Sequence, residues 1–154
     1  MTEVERIEDQ LRRAIEGDAW HGPSVQHLLA DVTVDQAIAK PVGGAHSIFE
    51  LLFHMGGWEG VALKRLRGSA DALPDDQNWP SENPSDEAAW NDCKARFEHQ
   101  NEQLRRAILE LSDDQLASEA PGADYSFYYL LHGVIQHDLY HGGQIALLKR
   151  AVRT

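Results

Sequence analysis

His137 and His141 stand four residues apart in an apolar-rich stretch that runs from Ser126 to Lys149. On an α-helix such a pair lies about 40° apart around the axis and about 6 Å apart along it, so two imidazoles can reach one metal ion. Leu130, Val134, His137, His141, Gln144, Ile145 and Leu148 recur at helical spacing, which puts both histidines on the stripe expected to face the interior. Two polar rings in a core stripe need partners. A catalytic or substrate-binding site of the zinc type takes three protein ligands and keeps one position open, so a third donor must come from another helix.

His54 is the natural third donor. It falls beside Met55 and in line with Leu51 and Trp58, at the edge of the core stripe of an earlier helical segment. Taken alone, a histidine there reads as a buried ring hydrogen-bonded to backbone or carboxylate; beside His137 and His141 it reads as a ligand. The other histidines carry less. His132 lies about 140° around the helix from His137 and points to solvent or an interface. His99 sits among Glu98, Gln100, Asn101 and Glu102 on a solvated face. His27 has no partner by spacing. His46 reads as a local loop contact, and His21, between Trp20 and Gly22, as loop packing, the alternative being a reach to a site mouth. Glu50, one turn before His54, is accounted for by helix capping. Asp138, about 100° from His137, takes a supporting or surface position. Cys93, between Trp90 and Phe97, reads as a small core residue.

Four long amphipathic helices must position these groups. Val4, Ile7, Leu11 and Ile15 give a first helix over about 3–17, stopping at Gly17. Ser24 can cap a short piece to Leu29, and Thr33 with Gln36 forms a capping box for another turn. Ser47 and Glu50 form a second box and open a helix with Ile48, Leu51, Leu52, Met55, Trp58, Glu59, Ala62 and Leu66 on one side, ending at Gly68. Residues 69–84, rich in Asp, Pro and Ser, read as a long surface loop. A third helix starts at Ser85, Asp86 and Glu87, with Trp90, Cys93, Phe97, Leu104, Ile108 and Leu111 at near-heptad steps. Ser112 and Gln115 form a further capping box, and Ser126 caps a fourth helix to about Val152. Gly56, Gly57, Gly142 and Gly143 fall inside helices next to the proposed ligands, where small residues allow close helix approach or leave room for a bound molecule. No run of alternating β-branched residues occurs, so the expected fold class is all-α, a four-helix bundle with a metal site between facing helices.

A chain of 154 residues is expected to form one domain, 1–154, with a single core. No apolar run approaches the roughly 20 residues that span a bilayer, and the acidic N-terminus reads straight into a helix, so a soluble, cytoplasmic, non-membrane protein is expected. The lone Cys93 excludes an internal disulfide and a Cys-rich zinc module. A formal charge of −11 repels polyanions and argues against nucleic-acid binding. The basic groups at 64–67 and 149–153 sit at helix C-termini, where the helix dipole favours cations.

Three segments together, His46 to Trp58, Asn78-Trp79-Pro80 and Leu131 to Ile145, resemble the DinB-like superfamily, and Ala19 to Ser24 is similar to its first loop. The resemblance covers most of the chain. It implies a four-helix bundle of up-down-down-up connectivity, often a homodimer, with a divalent metal held by one histidine of the second helix and two of the fourth, which map onto His54, His137 and His141. Characterised members of that superfamily activate a low-molecular-weight thiol for S-transfer or maleylpyruvate isomerisation. A stand-alone core, without the extra C-terminal domain of the mycothiol-dependent isomerases, is expected. A dimer face is expected from apolar residues outside the core stripe, including Tyr128, Leu131 and Leu139.

Three readings of function follow. The first is a metal-dependent enzyme, a thiol S-transferase or hydrolase, whose metal lowers the pKa of a thiol or water and acts on an electrophilic small molecule. The second is a non-catalytic metal-binding stress-response module, and the third a structural bundle with satisfied core histidines. Three neutral imidazoles suit Zn²⁺, Ni²⁺ or Fe²⁺ alike.

Overall fold

Short polar side chains mark where the helices begin, because the first turn of a helix leaves backbone N–H groups without intrahelical partners. Thr2 opens α1 (Glu3–Ile15), Ser24 opens α2 (Val25–Leu29), Thr33 opens α3 (Val34–Ile38) and Ser47 opens α4 (Ile48–Leu66). After a four-residue α5 (Asp75–Asn78), Asp86 opens α6 (Glu87–Leu109), and Ser126 opens α7 (Phe127–Ala151). The boxes formed by Thr33 with Gln36, Ser47 with Glu50, and Ser112 with Gln115 are all present, the last on a 3-10 turn, Asp113–Ala117. The computed structural model describes residues 1–153. Among them there is no β-strand, only two isolated bridges, and no helix is long and apolar enough to cross a membrane.

The four long helices share one apolar cluster. α4 packs on α6 and α7, and α1 packs on the same two. α1 contributes Val4, Ile7, Leu11 and Ile15, the residues its periodicity selects, although it ends at Ile15 and not at Gly17. In α6 the step from Phe97 to Leu104 is filled by Asn101, which is buried and donates to Glu59 Oε1 across the α4 interface at 2.6 Å. Trp90, fully buried, donates its indole N–H to Val32 O at 2.7 Å and so ties α6 to the turn before α3. Trp58, which the α4 periodicity assigns to the core, is instead 38% exposed. On α7 the buried stripe is Leu131, Val134, Ile135, Asp138, His141, Ile145 and Leu148. Leu131 therefore belongs to the core and not to an outer face, whereas Tyr128 and Leu139 are exposed.

Residues 69–84 are more ordered than a plain loop. α5 lies in their middle and docks on α4. The contact depends on Gly57, where a Cβ would come within 2.6 Å of Gln77 O. A helix of four residues is too short to show periodicity, and its N-cap Pro74 makes no capping hydrogen bond, so nothing local announces it.

Candidate metal centre

α4 presents His54 and α7 presents His137 and His141 to one point. One ligand nitrogen from each lies within 4.8 Å of the other two. His137 Nε2 is 3.1 Å from His54 Nε2 and 3.1 Å from His141 Nε2. His54 and His141 are more than nine-tenths buried, and His137 is partly open to solvent.

The outer nitrogens of two of these rings fix their protons. His54 Nδ1 lies 2.8 Å from Asn78 Oδ1 and 3.3 Å from Asn78 O, and His141 Nδ1 lies 2.6 Å from Gln144 Oε1. Carbonyl oxygens accept and do not donate, so each Nδ1 carries the hydrogen and each Nε2 turns a lone pair towards His137 Nε2. A proton on His137 Nε2 serves one of these lone pairs at a time; a cation serves all three nitrogens. Three nitrogens about 2.0–2.1 Å from a tetrahedral ion stand roughly 3.3 Å apart, close to the spacing seen here. Burial also pushes all three imidazoles towards the neutral form that binds metal, His141 down to about 4, with the neighbouring rings adding to the effect at His54 and His141. The residues present thus fit a divalent ion.

Aromatic packing holds the α4 side of the triad. The Trp79 ring stacks on His54 at a centroid distance of 4.1 Å and on His46 at 3.6 Å. His46 is in turn held by Glu50 Oε2 at 3.2 Å from its Nδ1, and Glu50 takes an ion pair from Lys40 at 2.7 Å. Glu50 therefore stays a capping and pairing residue, and His46 touches the triad through the Trp79 ring.

Beside the triad lies a second acidic group. Glu59 and Asp138 are fully buried, and Glu59 Oε2 and both Asp138 oxygens face no N–H or O–H donor among the described residues. Burial, then the facing Asp138 carboxyl, holds Glu59 well above the usual carboxylate range, and burial raises Asp138 likewise. Both shifts favour the protonated carboxyl, whose O–H is the kind of donor these buried oxygens otherwise lack. Asp138 Oδ1 is 3.7 Å from His137 Nδ1, too far for a hydrogen bond. Of the two places expected for Asp138, the surface one is corrected: the residue is fully buried beside the triad. The sequence signal was present: Glu59 falls on the apolar stripe of α4.

The remaining candidates separate cleanly. His99 is exposed and pairs with Gln103, and His21 and His27 are exposed on the lining of a different pocket. His132 is half-buried against the Tyr128 ring and not on an open face. Cys93 is half-buried against the core, with Arg96 Nη2 3.4 Å from its sulfur. Asn78 entered the sequence reading only within the Asn78-Trp79-Pro80 segment and Arg65 only as a helix-end cation; neither read as a site residue, Asn78 because its role depends on the docking of α5.

The family model of the DinB superfamily matches residues 19–145, and the chain belongs to that superfamily. No curated protein and no solved structure matches it significantly.

Proposed function

We propose that the protein binds one divalent metal ion through His54, His137 and His141 and uses it as a metal-dependent enzyme of the thiol S-transferase or hydrolase type. The observation that carries this reading is the convergence of three Nε2 atoms, two of which, on His54 and His141, have their lone pairs turned inward by the acceptors at Nδ1. A bound ion would supply, in its open position, a lowered pKa for a thiol or water and hence a nucleophile at neutral pH. The chain's own part is to keep three imidazoles neutral and oriented, through Asn78, Gln144 and the Trp79 stack. The partly open edge of His137, which lines a surface pocket, favours catalysis over the alternative of a non-catalytic metal-binding stress-response module, because a purely structural ion needs no access. Zn²⁺, Ni²⁺ and Fe²⁺ all suit the donor set.

The same reading takes residues 1–154 as one domain with up-down-down-up connectivity. Contacts between particular residues support it: Asp113 accepts from the Glu3 and Val4 backbone while Arg105 meets Glu8, so α1 and α6 run oppositely. Phe49 with Trp90 and Glu59 with Asn101 set α4 parallel to α6, and Arg65 with Tyr125 and His54 with His137 set α4 against α7. A homodimer is proposed through the exposed side of α7, where Tyr128, Leu139 and Leu147 stand. A cytoplasmic location goes with the thiol chemistry.

The test is turnover of electrophilic substrates with several low-molecular-weight thiols, and with water alone, by metal-loaded and metal-free protein. The reading requires a metal-dependent rate that His137→Ala abolishes. Equal rates for loaded and metal-free protein with every nucleophile would leave the binding-module reading in its place.

A further inference from the structure

One pocket joins Arg65 to His137. It has a volume of about 190 Å³ and is lined by Trp58, Arg65, Tyr125, Tyr129, Gly133 and His137, among others, with Arg65 as its only Lys or Arg and no carboxylate. Arg65 is 8% exposed, yet no Asp or Glu among the described residues pairs with it. Its guanidinium donates to the Tyr125 hydroxyl and lies 5.6 Å from the centre of that ring, and its Nε–H has no partner. A cation in the last turn of α4 suits the helix dipole, but the dipole does not account for burying it. A buried charge without a counter-charge is costly, and a planar guanidinium is shaped to take a carboxylate.

The third feature is Gly133. It lies inside α7, where Gly is about 1 kcal/mol worse than Ala, and a Cβ added there would meet nothing within 4 Å. No close approach requires a glycine at this point; what its bare backbone preserves is the space in front of Tyr129 and His137. That space holds about six water volumes at roughly 30 Å³ each, enough for a small acid and too little for a nucleotide or peptide.

We propose that this pocket binds a small carboxylate-bearing molecule, its carboxylate on Arg65, its apolar body between Trp58 and the Tyr125 and Tyr129 rings, and its far end towards His137. As the substrate pocket of the metal centre it rests on the function proposed above; as a binding site it stands on Arg65 and Gly133 alone. The substrate class it selects is a small organic acid with a flat apolar body.

Benzoate and its neutral isostere benzamide are the probes. Each is titrated into metal-free and into zinc-loaded protein while the Arg65 Nε–H resonance is followed by NMR. Benzoate should shift that resonance to saturation in both forms and bind at least about tenfold more tightly than benzamide, as a charge-assisted hydrogen bond requires. Arg65→Met should erase the preference for benzoate. Gly133→Leu, which fills the space and improves helix propensity, should abolish binding of both probes while leaving metal uptake intact. Equal affinity for the two probes, an Arg65 Nε–H that does not move at saturation, or undiminished binding to the Gly133→Leu protein would each overturn the proposal. Because the metal-free form carries the decision, loss of the benzoate preference with intact metal uptake removes this site alone. Retention of the preference in a protein that takes up no ion supports this site and removes the metal reading alone.

Discussion

Asn78 Oδ1 accepts a hydrogen bond from His54 Nδ1 at 2.8 Å, so a residue of the four-residue helix α5 decides which nitrogen of an α4 ring faces the other two histidines. Partners of this kind set the tautomer and orientation of a ligating imidazole, and removing them costs about 10–100-fold in metal affinity. Asn78→Ala is therefore expected to weaken zinc binding by that factor with the helical fold intact, measured by competition with a chromophoric chelator. Unchanged affinity would show that Trp79 stacking alone orients the ring.

Adjacent glycines in α4 should respond in opposite senses. At Gly57 an added Cβ meets Gln77 O at 2.6 Å, so Gly57→Ala must push α5 away, at a cost of about 1–3 kcal/mol, and should carry Asn78 off His54. At Gly56 the nearest atom is Phe97 Cδ2 at 3.6 Å, an ordinary contact, so Gly56→Ala should gain up to about 1 kcal/mol of helix propensity. Urea denaturation of the two variants measures both. A Gly57→Ala protein as stable as wild type, with wild-type metal affinity, would contradict the docking role given to α5.

Metal-free protein should lose stability in mild acid. Burial holds His141 at about 4 against an ordinary value of 6.5, so the folded state binds fewer protons than the unfolded state between those values. Its contribution is complete above pH 6.5 and disappears as pH falls to about 4, a change on the order of 1–3 kcal/mol shared with the smaller effects at His54 and His137. His141→Gln should flatten this part of the stability curve. A variant with the wild-type slope would assign the acid sensitivity elsewhere.

The buried carboxyl pair acts in the other direction. Glu59 is raised above its ordinary 4.5, so the folded state holds the extra proton and stability falls as pH rises from that value. Glu59→Gln keeps an oxygen for Asn101 and adds a donor for Asp138; it should stabilise the protein by about 1–2 kcal/mol at pH 8 and change little at pH 5. Thermal unfolding at the two pH values checks this, and equal effects at both would mean the pair holds no proton.

The long helices were readable in the sequence because their caps are local and their apolar stripes long: Ser47 with Glu50, and Ser126, open helices where expected. The His54, His137 and His141 grouping was readable for the same reason, since i,i+4 spacing and stripe position are properties of single helices. What was not readable depends on contacts between elements. α5 is placed by Gly57 and not by its own four residues. Asp138 read as a supporting or surface residue, and its full burial against Glu59 of α4 comes from the packing of α4 on α7. Asn101 filled a gap in the α6 heptad that apolar counting passes over, and Arg65 read as a helix-end cation because its burial against Tyr125 comes from α7 and the segment before it.

The central claim is that three imidazoles hold one ion, and metal content per chain tests it most directly. Metal-free wild type, His141→Ala and His99→Ala proteins are equilibrated with Zn²⁺, Ni²⁺ or Fe²⁺ (the last without oxygen), freed of excess, and assayed by elemental analysis. Wild type and His99→Ala should retain about one ion per chain, and His141→Ala should lose most of it, since a three-ligand site does not survive as two. Equal metal content in the His141→Ala and His99→Ala proteins, or none in wild type, would contradict the claim.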